Sequence, residues 1–145
     1  MARRIPAVYK ALNLVHERGF TLSKGRVFGR AGGMVAVRLT TVGRKSGAER
    51  VTMLTSPLVE DGQVVLVASY RGGPSHPAWF LNLRDRPQVR AMRRGTTDLE
   101  MHADVLDGPA RQAMWERLTA LEPRYAEYQT RTDREIPVIV LRPTT

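Results

Sequence analysis

Apolar and polar positions alternate clearly from Met34 onward. Val35, Val37 and Leu39 lie on one side of a stretch rich in Val, Leu and Thr, which predicts a strand over residues 34–42. A polar loop follows over 43–49. Residues 50–59 predict a second strand, Glu60-Asp61-Gly62 a hairpin turn, and 63–69 a third strand. Residues 70–75 form a glycine- and proline-rich loop. Residues 77–83 predict a short helix with Pro77 in its first turn and Ser75 or His76 as the cap. Residues 89–93 and 97–106 read as a strand pair around Gly95. Residues 107–121 predict a helix capped by Asp107 and opened by Pro109, with Met114, Leu118 and Leu121 on one face. A polar helical piece over 122–132 and a last strand over 136–141 complete the pattern.

The chain before Met34 is different. Pro6 opens an imperfect helical stripe of Ala7, Val8, Ala11, Leu12, Leu14 and Val15, which Gly19 ends. Lys10, His16 and Arg18 occupy the opposite face. Residues 23–33 read as a basic linker. The expected organisation is a basic amphipathic helix and linker over 1–33, then a domain over 34–145. Strands in hairpins with short helices make the fold class α+β, a small antiparallel β-barrel with the helices packed outside. The first two strand connections are too short for parallel crossovers.

Composition narrows the function. The 145 residues are 42% hydrophobic and 26% charged, an ordinary globular balance for one domain. There is no cysteine, so disulfides, thiolate metal sites and cysteine nucleophiles are excluded. His16, His76 and His102 fit no zinc spacing, and no metal is expected. No apolar run reaches the length of a membrane span, and no signal-peptide core follows Arg3 and Arg4. The expected location is cytoplasmic, with the opening helix able to rest peripherally on the inner face of the membrane.

The placement of the net charge of +9 says more than its size. Residues 1–50 hold eleven Lys or Arg against Glu17 and Glu49, and residues 51–145 are balanced. The excess therefore sits in the first third, where nucleic acid, an anionic membrane surface or a small polyanion would each fit. Nucleic acid has little support beyond charge, since only Tyr9, Phe20 and Phe28 interleave with these cations. No exposed apolar strip identifies an oligomer interface.

Three stretches could carry chemistry. Thr40-Thr41-Val42-Gly43-Arg44-Lys45-Ser46-Gly47, followed by Arg50, can turn backbone N–H groups, two cations and a hydroxyl toward a phosphate or carboxylate. It lacks the Walker A spacing, and an exposed basic hairpin would look the same. In the second, Ala68-Ser69-Tyr70-Arg71-Gly72-Gly73 leads through His76 and Pro77 into a helix bearing Trp79 and Asn82 on one face. The two glycines would admit a flat ligand, and His76 is a loop residue, a cap or a proton donor. In the third, Tyr125 and Tyr128 share a helix face and could line a pocket or simply pack. No G-x-S-x-G is present, and no carboxylate pair is set in an apolar context. A pocket of glycine, Arg and rings without its own reactive groups suits a cofactor that performs the chemistry.

Taken together, residues 40–50, Ala68-Ser69 with Gly72-Gly73, His76-Pro77-Ala78-Trp79-Phe80-Leu81-Asn82-Leu83, residues 125–133 and Ile136-Pro137 resemble the deazaflavin-dependent nitroreductase family over about residues 35–142. Members of that family are actinobacterial split-β-barrel proteins that use coenzyme F420. The resemblance implies an F420-dependent oxidoreductase of nitroreductase or quinone-reductase type. Reduced deazaflavin would give a hydride to a small electron-poor acceptor: a quinone, a nitroaromatic or an activated enone. It assigns Arg44, Lys45, Ser46, Gly47 and Arg50, with Thr52 nearby, to the phosphate and acidic tail of the coenzyme. It assigns Ala68, Ser69, Tyr70 and Arg71 to the ring, and Pro77, Trp79 and Asn82 to the helix beside the cofactor. Tyr125 and Tyr128 would face the acceptor, with Tyr128 positioning it. Tyr70-Arg71 departs from the pattern, standing where many relatives have a single residue before the two glycines. The rivals are an FMN-binding split barrel, a basic barrel that binds nucleic acid without catalysis, and a deazaflavin carrier without turnover.

Overall fold

Strands whose apolar residues run without a break are strands covered on both faces. The run Gln63–Val67 and the closing run Val138–Pro143 are of this kind. In the computed structural model, which describes residues 30–31 and 34–144, Val64, Leu66, Ile139 and Leu141 point into the barrel. Val65, Val138 and Val140 point the other way, under the helices that carry Leu118 and Tyr125. Two cores therefore sit back to back on the same strands.

The strands are β1 (Arg30–Ala31), β2 (Met34–Val42), β3 (Glu49–Ser56), β4 (Leu58–Glu60), β5 (Gln63–Val67), β6 (Gln88–Met92), β7 (Leu99–Val105) and β8 (Val138–Pro143). The helices are α1 (Ala78–Asp85), α2 (Gly108–Leu121) and α3 (Arg124–Thr130). All strand pairs are antiparallel, in the order β3-β2-β6-β7-β8-β5-β4, with β1 adding two pairs at the start of β2. The α+β split barrel expected from the sequence is the fold observed. The helix predicted before Met34 lies outside the described residues, and Arg30–Ala31, read as linker, pairs with β2. Among the described residues no helix is long and apolar enough to cross a membrane.

Three expectations need correction. The single strand read over 50–59 is two, β3 on one edge of the sheet and β4 on the other, so the chain crosses between edges at Pro57. Proline has no N–H for a ladder, and Ser56 marks the corner. The Ser56 hydroxyl, fully buried, donates to Val65 O at 2.6 Å and accepts the Leu58 N–H at 3.3 Å. Second, neither Ser75 nor His76 caps α1; the cap position is Pro77, with no side-chain hydrogen bond. Third, Leu118 is buried on α2 but Leu121, predicted on the same face, is exposed at the helix end. Arg111 and Trp115 stack on each other earlier in the same helix, with the guanidinium 4.9 Å from the ring centroid.

The barrel interior holds Val37 and Leu39 of β2, Val89 and Ala91 of β6 and Met101 of β7, closed over by Trp79, Phe80 and Leu83 of α1. Each of the larger of these side chains removed from water contributes roughly 1.5–3 kcal/mol. Thr41 follows Leu39 by two residues, so it faces the same way, toward α1.

Candidate functional site

The β2–β3 loop is a tight, self-bonded turn. Gly43 N–H donates to Ala48 O at 2.7 Å, and Gly47 N–H donates to Gly43 O at 2.8 Å. Gly47 sits at φ +71°, and a Cβ on Gly43 would lie 2.6 Å from Ser46 Oγ. The left-handed backbone at Gly47 is thus demanded by the turn, and a side chain at Gly43 would have to displace the Ser46 hydroxyl. Ser46 Oγ accepts from Ala48 N–H at 3.2 Å and from Arg50 Nη2 at 3.4 Å. Arg44, Lys45, Ser46, Gly47 and Arg50 are all exposed, and Thr52, on β3 opposite Leu39, is half-buried.

Charge is sorted around this loop. Among the described residues, Arg44, Lys45 and Arg50 have no acidic partner, while Arg90, Arg117 and Arg142 are ion-paired. Glu49 is the acid nearest in sequence, and Arg90 takes it through two hydrogen bonds of 2.6 and 3.2 Å. That bonding holds the Glu49 carboxyl below its usual range. The loop therefore keeps its positive field.

One side chain connects the loop to the helix. Asn82, buried on α1, donates from Nδ2 to Thr41 Oγ1 at 3.2 Å and accepts the Arg44 N–H on Oδ1 at 3.1 Å. Both ends of its amide are thereby spent on the protein. Trp79, on the same helix, is buried in the barrel core, and Pro77 is buried at the helix start.

The β5–α1 loop is built differently. Ala68 is fully buried and its N–H donates to Pro137 O at 3.0 Å. Tyr70, Arg71 and Gly72 then turn left-handed, at φ 45°, 54° and 78°. Gly72 presses on the C-terminal end of α3, where a Cβ would lie 2.6 Å from Tyr128 O and 2.9 Å from Arg131 Cβ. Tyr70 and Arg71 are exposed and Ser69 half-buried. The sequence missed what holds this loop: Arg134, whose guanidinium donates to three of its carbonyls and meets His76 Nδ1 at 3.1 Å. Burial, then Arg134 and Arg84, hold the His76 imidazole below its usual pKa. The ring also packs against Phe80 with centroids 4.9 Å apart.

The two tyrosines part company. Tyr125 is buried in the second core, its hydroxyl 3.4 Å from Met34 Sδ, and burial pushes its pKa up to about 12. Tyr128 is half-buried, 6.3 Å from Tyr125 in an edge-on arrangement, with Arg131 stacked 5.4 Å from its centroid. The structure thus joins Arg44 to Asn82 and the residue 70–72 turn to Tyr128. It leaves Ala68, Trp79 and Tyr125 largely enclosed by protein. Among the described residues no cluster of His, Asp and Glu could hold a metal.

The family model described as F420H(2)-dependent quinone reductase matches residues 15–143. An F420H(2)-dependent quinone reductase of Mycobacterium tuberculosis is 31% identical over 134 residues, covering 88% of this chain and 87% of the relative. A solved F420-H2 dependent reductase is 39% identical with a TM-score of 0.64, covering 74% of this chain and 93% of its own. Another solved chain, described as a domain-swapped dimer, is 34% identical with a TM-score of 0.70 over 94% of this chain and 97% of its own.

Proposed function

Since the chain belongs to the F420H(2)-dependent quinone reductase family, we propose that the acceptor of this F420H2-dependent oxidoreductase is a quinone and that the two loops flanking α1 bind the coenzyme. Reduced coenzyme F420, when bound, supplies a hydride to the acceptor.

The residues fit that group. A phosphate with an acidic tail needs a cluster of donors free of carboxylates, and Arg44, Lys45 and Arg50 are exposed with no acidic partner among the described residues. Ser46 adds a hydroxyl, but the cradle of backbone N–H groups expected from the sequence is not formed by Gly43, Arg44, Gly47 and Ala48, whose N–H groups are spent within the protein, so the side-chain cations carry the grip. Asn82 is the observation that carries the reading. It bonds the cationic loop and β2 to the helix that starts at the end of the second loop, so an anion-gripping element and a ring-lining element are one rigid unit. Ser69, Tyr70 and Arg71 line the ring in this reading, with Pro77 and Trp79 supporting it from α1 and fully buried Ala68 packed beneath the loop. Half-buried Tyr128 positions the acceptor, and its hydroxyl steadies the oxygen that gains charge. Tyr125 supports Tyr128 through the edge-on ring contact. The protein itself grips, orients and excludes water. A cytoplasmic site at the inner membrane face, where lipid quinones are found, suits the positive first third of the chain.

The test mixes purified protein anaerobically with reduced F420 and menadione and follows growth of the oxidised cofactor's absorbance. Saturable, protein-dependent turnover is expected. Absence of both cofactor binding at micromolar protein and turnover would overturn the reading.

A further inference from the structure

Tyr70, Arg71 and Gly72 form three consecutive left-handed residues, two of them with side chains. L residues avoid this region, and it persists only where the surroundings over-determine it. One side chain does so here. Arg134 donates from Nε to Gly73 O at 3.0 Å, from Nη1 to Ala68 O at 3.1 Å and from Nη2 to Ser69 O at 2.8 Å. Two of these carbonyls precede the turn and one follows it, so the fork brackets the strained residues. Nη1 also lies 3.1 Å from His76 Nδ1, farther along the same loop. A guanidinium can only donate, so Nδ1 accepts and the neutral ring carries its proton on Nε2. Arg134 is itself anchored: Gln129 donates to its carbonyl at 2.8 Å and accepts the Ile136 N–H at 2.9 Å.

We propose that Arg134 is a positioning residue for hydride transfer: its guanidinium, spread over the carbonyls of Ala68, Ser69 and Gly73 and Nδ1 of His76, fixes the turn against which the cofactor ring lies. It acts through the loop, with no contact to the reacting atoms. The proposal rests on the reading that residues 69–71 line the ring. The charged groups bearing on His76 are Arg134, from the segment before β8, and Arg84 of α1, with Phe80 against its face. Arg134 thus both orders the loop and reports through His76 whether the clamp is closed.

The test compares the full-length chain with its Arg134→Lys and Arg134→Gln variants. It measures dissociation constants for reduced F420, kcat with menadione, and nitrogen NMR of His76 against pH. Misplacing a reactant by about an ångström costs roughly a hundredfold. We expect kcat to fall by about that factor in both variants while the cofactor dissociation constant moves by less than about threefold. Lysine should not rescue, because one ammonium cannot reproduce a planar fork over four acceptors. The His76 spectrum should change from one tautomer to a mixture, and its pKa should rise. Unchanged kcat, full rescue by lysine, or an unchanged His76 spectrum would each overturn the proposal. Arg134→Lys keeps the charge and carries the test if Arg134→Gln fails to fold. The NMR arm needs no cofactor. A wild-type chain that ignores reduced F420 therefore refutes the site reading and leaves the clamp itself measurable.

Discussion

The two loops beside α1 reach order by opposite means. The 43–48 turn bonds to itself, keeps its cations in solvent and is tied to the body by one amide, Asn82. The 69–76 loop carries strained residues and depends on a guanidinium from a distant segment, 61 to 66 positions away in sequence. In the first, charge can be removed without touching the fold. In the second, the loop and the fold share the same hydrogen bonds, so function and stability cannot be changed separately. A site that must both grip an anion and orient a ring uses an element of each kind.

The sharpest way to break this contrast is Gly72→Ala. The added methyl would lie 2.6 Å from Tyr128 O in a backbone at φ +78°. Left-handed strain and overpacking together should cost about 3–5 kcal/mol, read as a lower denaturant midpoint, with activity lost at any cofactor concentration. Gly47→Ala is the matched change in the other loop. Its φ is +71° but nothing lies within 4 Å of the new Cβ, so only the strain remains, about 1–2 kcal/mol. Equal losses at the two positions would mean that the second loop is not held against α3.

A charge deletion should invert that ranking. Arg44→Ala with Lys45→Ala removes two exposed cations, so stability should stay within about 0.5 kcal/mol. Charge-assisted bonds contribute about 1.5–3 kcal/mol each, and affinity for reduced F420 should fall roughly a hundredfold or more. The salt dependence of binding should flatten with it. Tight binding by the double variant would move the anion site away from this loop.

Legibility in the sequence followed the same division. Arg44, Lys45, Ser46 and Gly47 announce themselves, because a local turn writes its glycines and its charges side by side. The barrel strands were readable for a related reason: alternation in β2 and unbroken apolar runs in β5 and β8 are local consequences of one or two covered faces. The edge-to-edge corner at Ser56 and Pro57 was missed, although a proline inside a strand pattern is a signal that the ladder stops there. Arg134 was invisible for a deeper reason. Its partners are backbone carbonyls, which every residue has, so no complementary side chain exists to pair with it in a sequence. Asn82 is assigned to the helix beside the cofactor by the family resemblance alone. Its bonds to Thr41 and to the Arg44 N–H became evident only with the fold.

Asn82→Ala tests the tie between the loops. It leaves the Thr41 hydroxyl and the Arg44 N–H without their partner in a partly buried setting, at a cost of about 1–3 kcal/mol. Both the dissociation constant and kcat should worsen, unlike the charge deletion, which acts on binding, and the Arg134 variants, which act on kcat. A pure binding defect would mean that Asn82 serves the cationic loop alone.

The smallest effect concerns pH. The imidazole of His76 is held below its usual value by burial first and then by Arg134 and Arg84. The unfolded chain therefore binds this proton more readily than the folded one, and stability rises with pH wherever only the unfolded form is protonated. Going downward, the loss begins as pH falls through the ordinary histidine range and levels off once the folded-state value has been passed. Protonation would also place an N–H on Nδ1 opposite the guanidinium, turning an accepted hydrogen bond into a clash of donors. His76→Asn keeps an acceptor near Nδ1 and removes the titration. Its unfolding midpoint should be flatter than the wild type's across mildly acidic pH, with turnover falling less steeply at the acid end. Parallel profiles for the two proteins would mean that the acid sensitivity lies elsewhere and that the contact with Arg134 survives protonation.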